Sequence, residues 1–120
     1  MESRAPLLGL EISTDRSRLD VTMIHAFLSD SYWARDRSLE LVQRSIEHSI
    51  CFGAYLADRQ VGFARVVSDR VSFAYLADVF VVPPERGRGI ATHLVKAALL
   101  HPELVHVPVM LRTQDAHSLY

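Results

Sequence analysis

A single cysteine, Cys51, in 120 residues excludes an internal disulfide framework and a multi-cysteine zinc site, so the core must be held by burial alone. Long apolar runs are also missing. Stretches such as Val79–Val82 fall far short of the roughly 18 residues needed to cross a bilayer, and the apolar part of Met1–Leu10 is too short for a secretory signal. A cytoplasmic protein with no membrane partner is expected. Neither sign of charge dominates: 13 Lys and Arg stand against 14 Asp and Glu, interspersed along the chain. No basic surface for nucleic acid is implied, and nucleic acid is not expected as a partner. The histidines are scattered, and neither His101 with His106 nor His93 with His101 has ligand spacing, so no metal is expected. No internal repeat or low-complexity tract appears. What is present, 49% hydrophobic and 22% charged residues, is the balance of one compact domain over residues 1–120.

The apolar spacing alternates between two periods. Leu8, Leu10 and Ile12 repeat every second residue and predict a strand over Leu7–Ser13. Asp20 can cap a helix carrying Val21, Ile24, Phe27 and Leu28 over Val21–Asp30, and Ser38 a second helix carrying Leu39, Val42 and Ile46. From Ile50 the period of two returns, with a turn at Asp58-Arg59 and a second strand through Val61, Phe63, Arg65 and Val67, which reads as a hairpin. After a turn at Ser68–Arg70, Ser72–Val82 reads as a near-continuous apolar strand buried on both faces, ended by Pro83-Pro84. Ile90, Leu94, Val95, Ala98 and Leu99 describe a helix stopped at His101-Pro102. Val105–Thr113 reads as a further strand, and Asp115 as the cap of a helix opening near Ala116.

Chemistry concentrates in Val79–Ala98, where a buried strand runs through two prolines into Glu85-Arg86-Gly87-Arg88-Gly89-Ile90-Ala91 and then into a helix. Unpaired N–H groups and the positive end of the macrodipole mark a helix start, and Gly87, Gly89 and Ala91 let a phosphate approach the main chain. Arg86 and Arg88 add positive charge. A dinucleotide fingerprint fails, because counting Gly-x-Gly-x-x-Gly from Gly87 puts Thr92 at the last position. A Walker-type loop fails too, since Lys96 stands in mid-helix.

Arg/Gln-x-x-Gly-x-Gly/Ala does fit, through Arg86, Gly89 and Ala91 behind a strand ending Val79-Phe80-Val81-Val82. This resembles the acyl-CoA-binding motif of the GNAT superfamily of N-acyltransferases. The element order is similar to the family's, and Thr113–Tyr120 looks like its later motif in which Asn or Asp opens a helix ending in Leu-Tyr. The resemblance spans nearly the whole chain. It implies an α/β fold with a mixed, mainly antiparallel sheet flanked by helices, and transfer of an acetyl group from acetyl-CoA to a primary amine, small-molecule or peptide, by direct attack. Family members normally continue through two more strands, and this chain stops at Tyr120, so a domain incomplete at its C-terminus is expected.

By the same resemblance, Asp78–Val82 splays from Val105–Thr113 at a bulge and pairs its main chain with the pantetheine arm, an N–H near Val79–Val81 polarising the thioester carbonyl. Val79, Phe80, Val81, Arg86, Gly87, Arg88, Gly89, Ile90, Ala91, Thr92 and Asp115 are the implied cofactor contacts. An amine with a pKa of ~10 arrives protonated, so the site needs a base or a route for the neutral amine. Asp78 and Tyr75 are the candidates for the base, and Tyr120 matches the family's general-acid tyrosine. For each a plainer role competes: for Asp78 a buried salt bridge to Arg65 or Arg112, for Tyr75 a pocket wall, for Asp115 an N-cap, for Tyr120 a frayed end. Cys51 reads as a small buried hydrophobe. Tyr32 and Trp33, core by composition, lie in the connection that overlies the family's acceptor pocket, which makes them candidate substrate contacts. The rival class is a CoA-binding or oligomerising module without catalysis. Without the last strands, Val107, Val109 and Leu111 become an apolar sheet edge, and a homodimer is expected.

Overall fold

The computed structural model describes residues 9–111 of the chain. Five strands form one sheet in sequence order: β1 (Glu11–Ser13), β2 (Ile50–Leu56), β3 (Arg59–Ser68), β4 (Ala74–Val81) and β5 (Val109–Met110). The first four are antiparallel and β5 runs parallel to β4. Helices α1 (Val21–Ser29) and α2 (Leu39–Glu47) cover one face and α3 (Ile90–Leu100) the other. The mixed, mainly antiparallel sheet flanked by helices expected from the sequence is the one observed.

Strand alternation sorts the apolar side chains into two cores. Phe52, Ala54, Ala64, Val66 and Leu76 meet Ile90, Leu94 and Ala98 of α3. Cys51, Phe63 and Phe80 meet Ile24 and Leu28 of α1 and Val42 and Ile46 of α2. The helix starts are fixed as their sequences predict: Asp20 accepts from the Met23 amide at 3.0 Å and Ser38 from the Leu41 amide at 3.1 Å. Buried Gln60 ties α1 to β3, accepting from the Asp20 amide at 2.7 Å and donating to the Gly62 carbonyl at 3.0 Å.

Two expected strands are shorter than their apolar content suggests. Ser72 and Phe73 belong to a turn around Asp69, whose Oδ1 accepts from the amides of Val71 (2.9 Å) and Ser72 (2.8 Å). That local side-chain capture competes with the ladder, so β4 starts at Ala74. Its residues then alternate between buried and half-buried positions as far as Val79, rather than being uniformly buried. Val105–Val107 is likewise turn rather than strand: the amides of Leu104 and Val105 bond the His101 carbonyl, and Pro108 follows without an N–H to donate. Among the described residues β5 therefore covers Val109–Met110 and is the outer strand of the sheet, and Val107, Val109 and Leu111 pack partly buried against the α3 core. The first strand starts only at Glu11, because Gly9 is in a turn with φ 80° and Leu10 lies outside the strand, and the helix expected near Ala116 lies outside the described residues.

Gly62 on β3 sets how closely α3 sits on the sheet. A Cβ there would meet Leu94 Cδ1 at 3.1 Å, Ala54 Cβ at 3.3 Å and the Phe80 carbonyl oxygen at 3.3 Å. Gly62→Val is expected to cost about 1–3 kcal/mol of stability by overpacking this contact, read from the denaturation midpoint in urea. An unchanged midpoint would contradict the packing.

Candidate active site

The site begins with one extra residue. β3 and β4 pair Arg65 with Asp78 but Val66 with Leu76, which leaves Ala77 as a bulge. Ala74 and Leu76 point into the α3 core. Uninterrupted alternation would send Asp78 there too, a carboxylate among aliphatic side chains. The bulge turns it to the opposite face, beneath the connection between α1 and α2.

There Asp78 is 1% exposed and fully engaged. Its Oδ2 accepts from Arg65 Nε at 2.7 Å and Arg37 Nη1 at 2.9 Å, and its Oδ1 from Trp33 Nε1 at 2.8 Å. Burial is the largest influence on this carboxyl and pushes its pKa up. The Arg37 hydrogen bond, with the charge and hydrogen bond of Arg65, outweighs burial and holds the carboxyl below the ordinary carboxylate range. Arg65 Nη1 also donates to Ser49 Oγ at 3.1 Å. Next to Arg65 on β2, Cys51 is buried and its thiol is pushed up to about 12, chiefly by burial, so it is a packing residue at neutral pH.

The bulge also sets the direction of the main chain. The Ala74 amide donates toward β5, to Pro108, at 2.9 Å, whereas the Val82 amide donates toward β3, to Val61, at 2.9 Å. Alternation between them puts the main-chain groups of Val79 and Val81 on the side away from β3. On that side β5 pairs only with Ala74 and Tyr75, so among the described residues the edge of β4 beyond Tyr75 has no strand partner. The Val81 carbonyl confirms the direction, accepting from Arg86 Nε at 2.9 Å. Phe80, also expected to meet the cofactor, is turned otherwise: its ring stacks on Phe27 of α1 at 3.9 Å and 10°, and its main chain faces β3.

Beyond a 3₁₀ turn at Pro83–Glu85, Gly87 (φ 81°) and Gly89 (φ 85°) take left-handed conformations that other residues adopt only with strain. A Cβ on either would have nothing within 4 Å among the described residues. Gly89 is the N-cap of α3 and brings no capping side chain, and the first intrahelical bond runs from His93 to Gly89 at 3.1 Å. The amides of Ile90, Ala91 and Thr92 thus open the helix as donors for an anion. Arg86 sits 5.8 Å from the Phe27 ring and, through Val81, ties the loop to the strand. Arg88 donates to Glu85 at 2.7 Å, and Arg59 reaches the same carboxylate at 3.2 Å. Glu85 therefore offsets part of the positive charge expected of the two loop arginines.

The structure brings Trp33 together with Asp78, while Tyr32 packs edge-on against Trp33 at 5.4 Å and is exposed. Tyr75 is half-buried on β4, between Val67 of β3 and Met110 of β5. Asp115 and Tyr120 lie outside the described residues, as does Arg112, the other partner considered for Asp78. Sequence reading missed Arg37, which lies in an aperiodic connection; the signal available was the polar Asp78 in an otherwise apolar strand, which calls for more than one partner. Among the described residues no group of three His, Cys, Asp or Glu could hold a metal, and no helix is long and apolar enough to cross a membrane.

Residues 21–120 match the Acetyltransferase (GNAT) family. A Gibberella zeae protein named "Putative acetyltransferase FG08082" is 31% identical over 133 aligned positions, 91% of this chain and 74% of the relative. The crystal structure of a Xanthomonas campestris pv. campestris protein assigned to the GNAT family is 52% identical and superposes with a TM-score of 0.87, covering 92% of this chain and 80% of that one. A GNAT family acetyltransferase from Elizabethkingia anophelis, solved with acetyl-CoA bound, shares the fold at 15% identity and a TM-score of 0.59, over 78% of this chain and 57% of that one.

Asp78→Asn leaves two guanidiniums facing a neutral amide and is expected to cost about 3–5 kcal/mol in urea unfolding. Because the native carboxyl is held below its unfolded value, its contribution is complete above about pH 4 and fades as the pH falls through the native value. The wild-type advantage over Asp78→Asn should therefore shrink in acid. A constant advantage down to low pH would contradict the ion-pair account.

Proposed function

The chain belongs to the GNAT acetyltransferase family, and we propose that it transfers an acetyl group from acetyl-CoA to a primary amine by direct attack of the amine on the thioester. The observation that carries this reading is the succession, among the described residues, of a β4 edge without a strand partner beyond Tyr75 and an α3 N-terminus without a side-chain cap, joined by a loop whose glycines leave space. These residues fit the cofactor. The amides of Ile90, Ala91 and Thr92, with Arg86 and Arg88 beside them, suit the diphosphate. The outward main-chain groups of Val79 and Val81 suit the amides of a pantetheine arm, as in strand addition. Acetyl-CoA supplies the activated acyl group; the Val79 N–H donates to the thioester oxygen as negative charge develops on it.

In the reaction the nitrogen of the neutral amine forms the new C–N bond and gives up a proton, the C–S bond breaks, and the leaving thiolate takes up a proton. Asp78 is an anchor in this reading rather than the base: both its oxygens are engaged and its carboxyl is held ionised at neutral pH. Tyr75 on β4 and, by family resemblance, Tyr120 are the proton-handling candidates, with Tyr32 and Trp33 walling the acceptor. A homodimer belongs to the same reading: among the described residues β5 is the outer strand of the sheet, and Met110 is exposed on it.

Calorimetric titration with acetyl-CoA is expected to give one site per chain, and the paired change Arg86→Glu with Arg88→Glu to weaken binding by about tenfold or more through loss of charge-assisted contacts. Affinity unaltered by the pair would contradict the loop assignment. Thiol release on adding amines separates the transferase from a module that only binds CoA.

A further inference from the structure

Asp78 is one carboxylate facing two guanidiniums, Arg37 and Arg65, both on its Oδ2. Among the described residues it is the carboxylate partner of each; Asp36 and Glu40, close to Arg37 in sequence, are exposed and form no ion pair with it. A surplus positive charge is therefore held beneath the α1–α2 connection. Arg65 spends Nε and Nη1 on Asp78 and Ser49 and is 12% exposed. Arg37 spends only Nη1 and is 23% exposed, leaving guanidinium donors unspent. Its main chain is fixed on both sides, the amide donating to Ala34 at 3.2 Å and the carbonyl 3.2 Å from His25 Nε2. The charge is thus held against Asp78, the residue before Val79, on a carboxylate that Trp33 shares.

From this we propose that the acyl acceptor carries an anionic group, a carboxylate or a phosphate, in addition to its amine, and that Arg37 receives that group. The inference rests on the acetyl-transfer reading above. A surplus cation at the acceptor side disfavours the ammonium form of an incoming amine and repels polyamines, while an anion on the same molecule offsets the surplus and brings the neutral amine to the thioester. A guanidinium with open donors suits either oxyanion bidentately.

The test measures thiol release from acetyl-CoA with matched amines, rates being expressed per unprotonated amine. L-Phenylalanine is compared with L-phenylalaninamide, O-phosphoethanolamine with ethanolamine, and 1,3-diaminopropane serves as the cationic control. In at least one pair the anionic member should show a kcat/KM about tenfold or more above its neutral partner, an advantage that falls with added salt, and the diamine should be the poorest acceptor. The pair that responds separates a carboxylate from a phosphate. Arg37→Gln should collapse the anionic-to-neutral ratio and Arg37→Lys should restore part of it, which a purely structural arginine would not do. Equal rates within both pairs, or a ratio unchanged in Arg37→Gln, would overturn the proposal while leaving acetyl transfer intact. Absence of acetyl-CoA binding would overturn both. If Arg37→Gln does not fold, the wild-type comparison decides alone.

Discussion

The constraint on which the rest depends is the parity of β4. A strand alternates both its side chains and its main-chain groups, so one extra residue reverses everything that follows it. Ala77 is that residue. Before it, Ala74 and Leu76 build the α3 core and the Ala74 amide points to β5. After it, Asp78 and Phe80 face α1 and the α1–α2 connection, while the main chain of Val79 and Val81 turns outward. The outward main chain proposed to receive the cofactor and the anchoring under the helices are two consequences of one insertion.

The two reversed side chains hold the surrounding elements by different means. Asp78 uses charge, binding Arg65 of β3 together with Trp33 and Arg37 of the connection. Phe80 uses area, lying against Phe63 and stacked on Phe27, over which Arg86 of the loop is placed. The glycine loop proposed to hold the cofactor is thus braced through α1 as well as through the strand that leads into it. A buried ion pair is costly to break and contributes little beyond an apolar substitute of equal volume. Its place at the junction of the β4 edge, the glycine loop and the α1–α2 connection fits a role in orientation more than in stability.

Much of this fold is legible in the sequence because it is written locally. Asp20 and Ser38 precede their helices and cap them; Pro83-Pro84 ends β4; Gly87 and Gly89 stand where the backbone takes positive φ. The geometry of the loop, a 3₁₀ turn and two left-handed glycines before a helix, is legible for the same reason, since it lies in contiguous residues. What could not be read is settled by competition between distant or local partners. Asp69 draws the amides of Val71 and Ser72 out of strand geometry, and Pro108 with the turn at His101 shortens β5, although Ser72–Val82 and Val105–Thr113 are apolar enough for longer strands. The bulge, expected from the family resemblance, has no composition signature of its own, because Ala77 differs from its neighbours only in register. Of the three partners of Asp78, Arg65 could be anticipated from the adjacent strand, whereas Arg37 and Trp33 come from a connection without period.

The most direct measurement is amide hydrogen exchange along β4, followed by NMR with and without CoA. If the outward main chain of Val79 and Val81 receives the cofactor, those two amides exchange readily in the free protein and slow on CoA addition, while Phe80, already facing β3, changes little. Protection of Val79 and Val81 that is the same with and without CoA, or a CoA effect confined to Arg86–Thr92, would contradict the account.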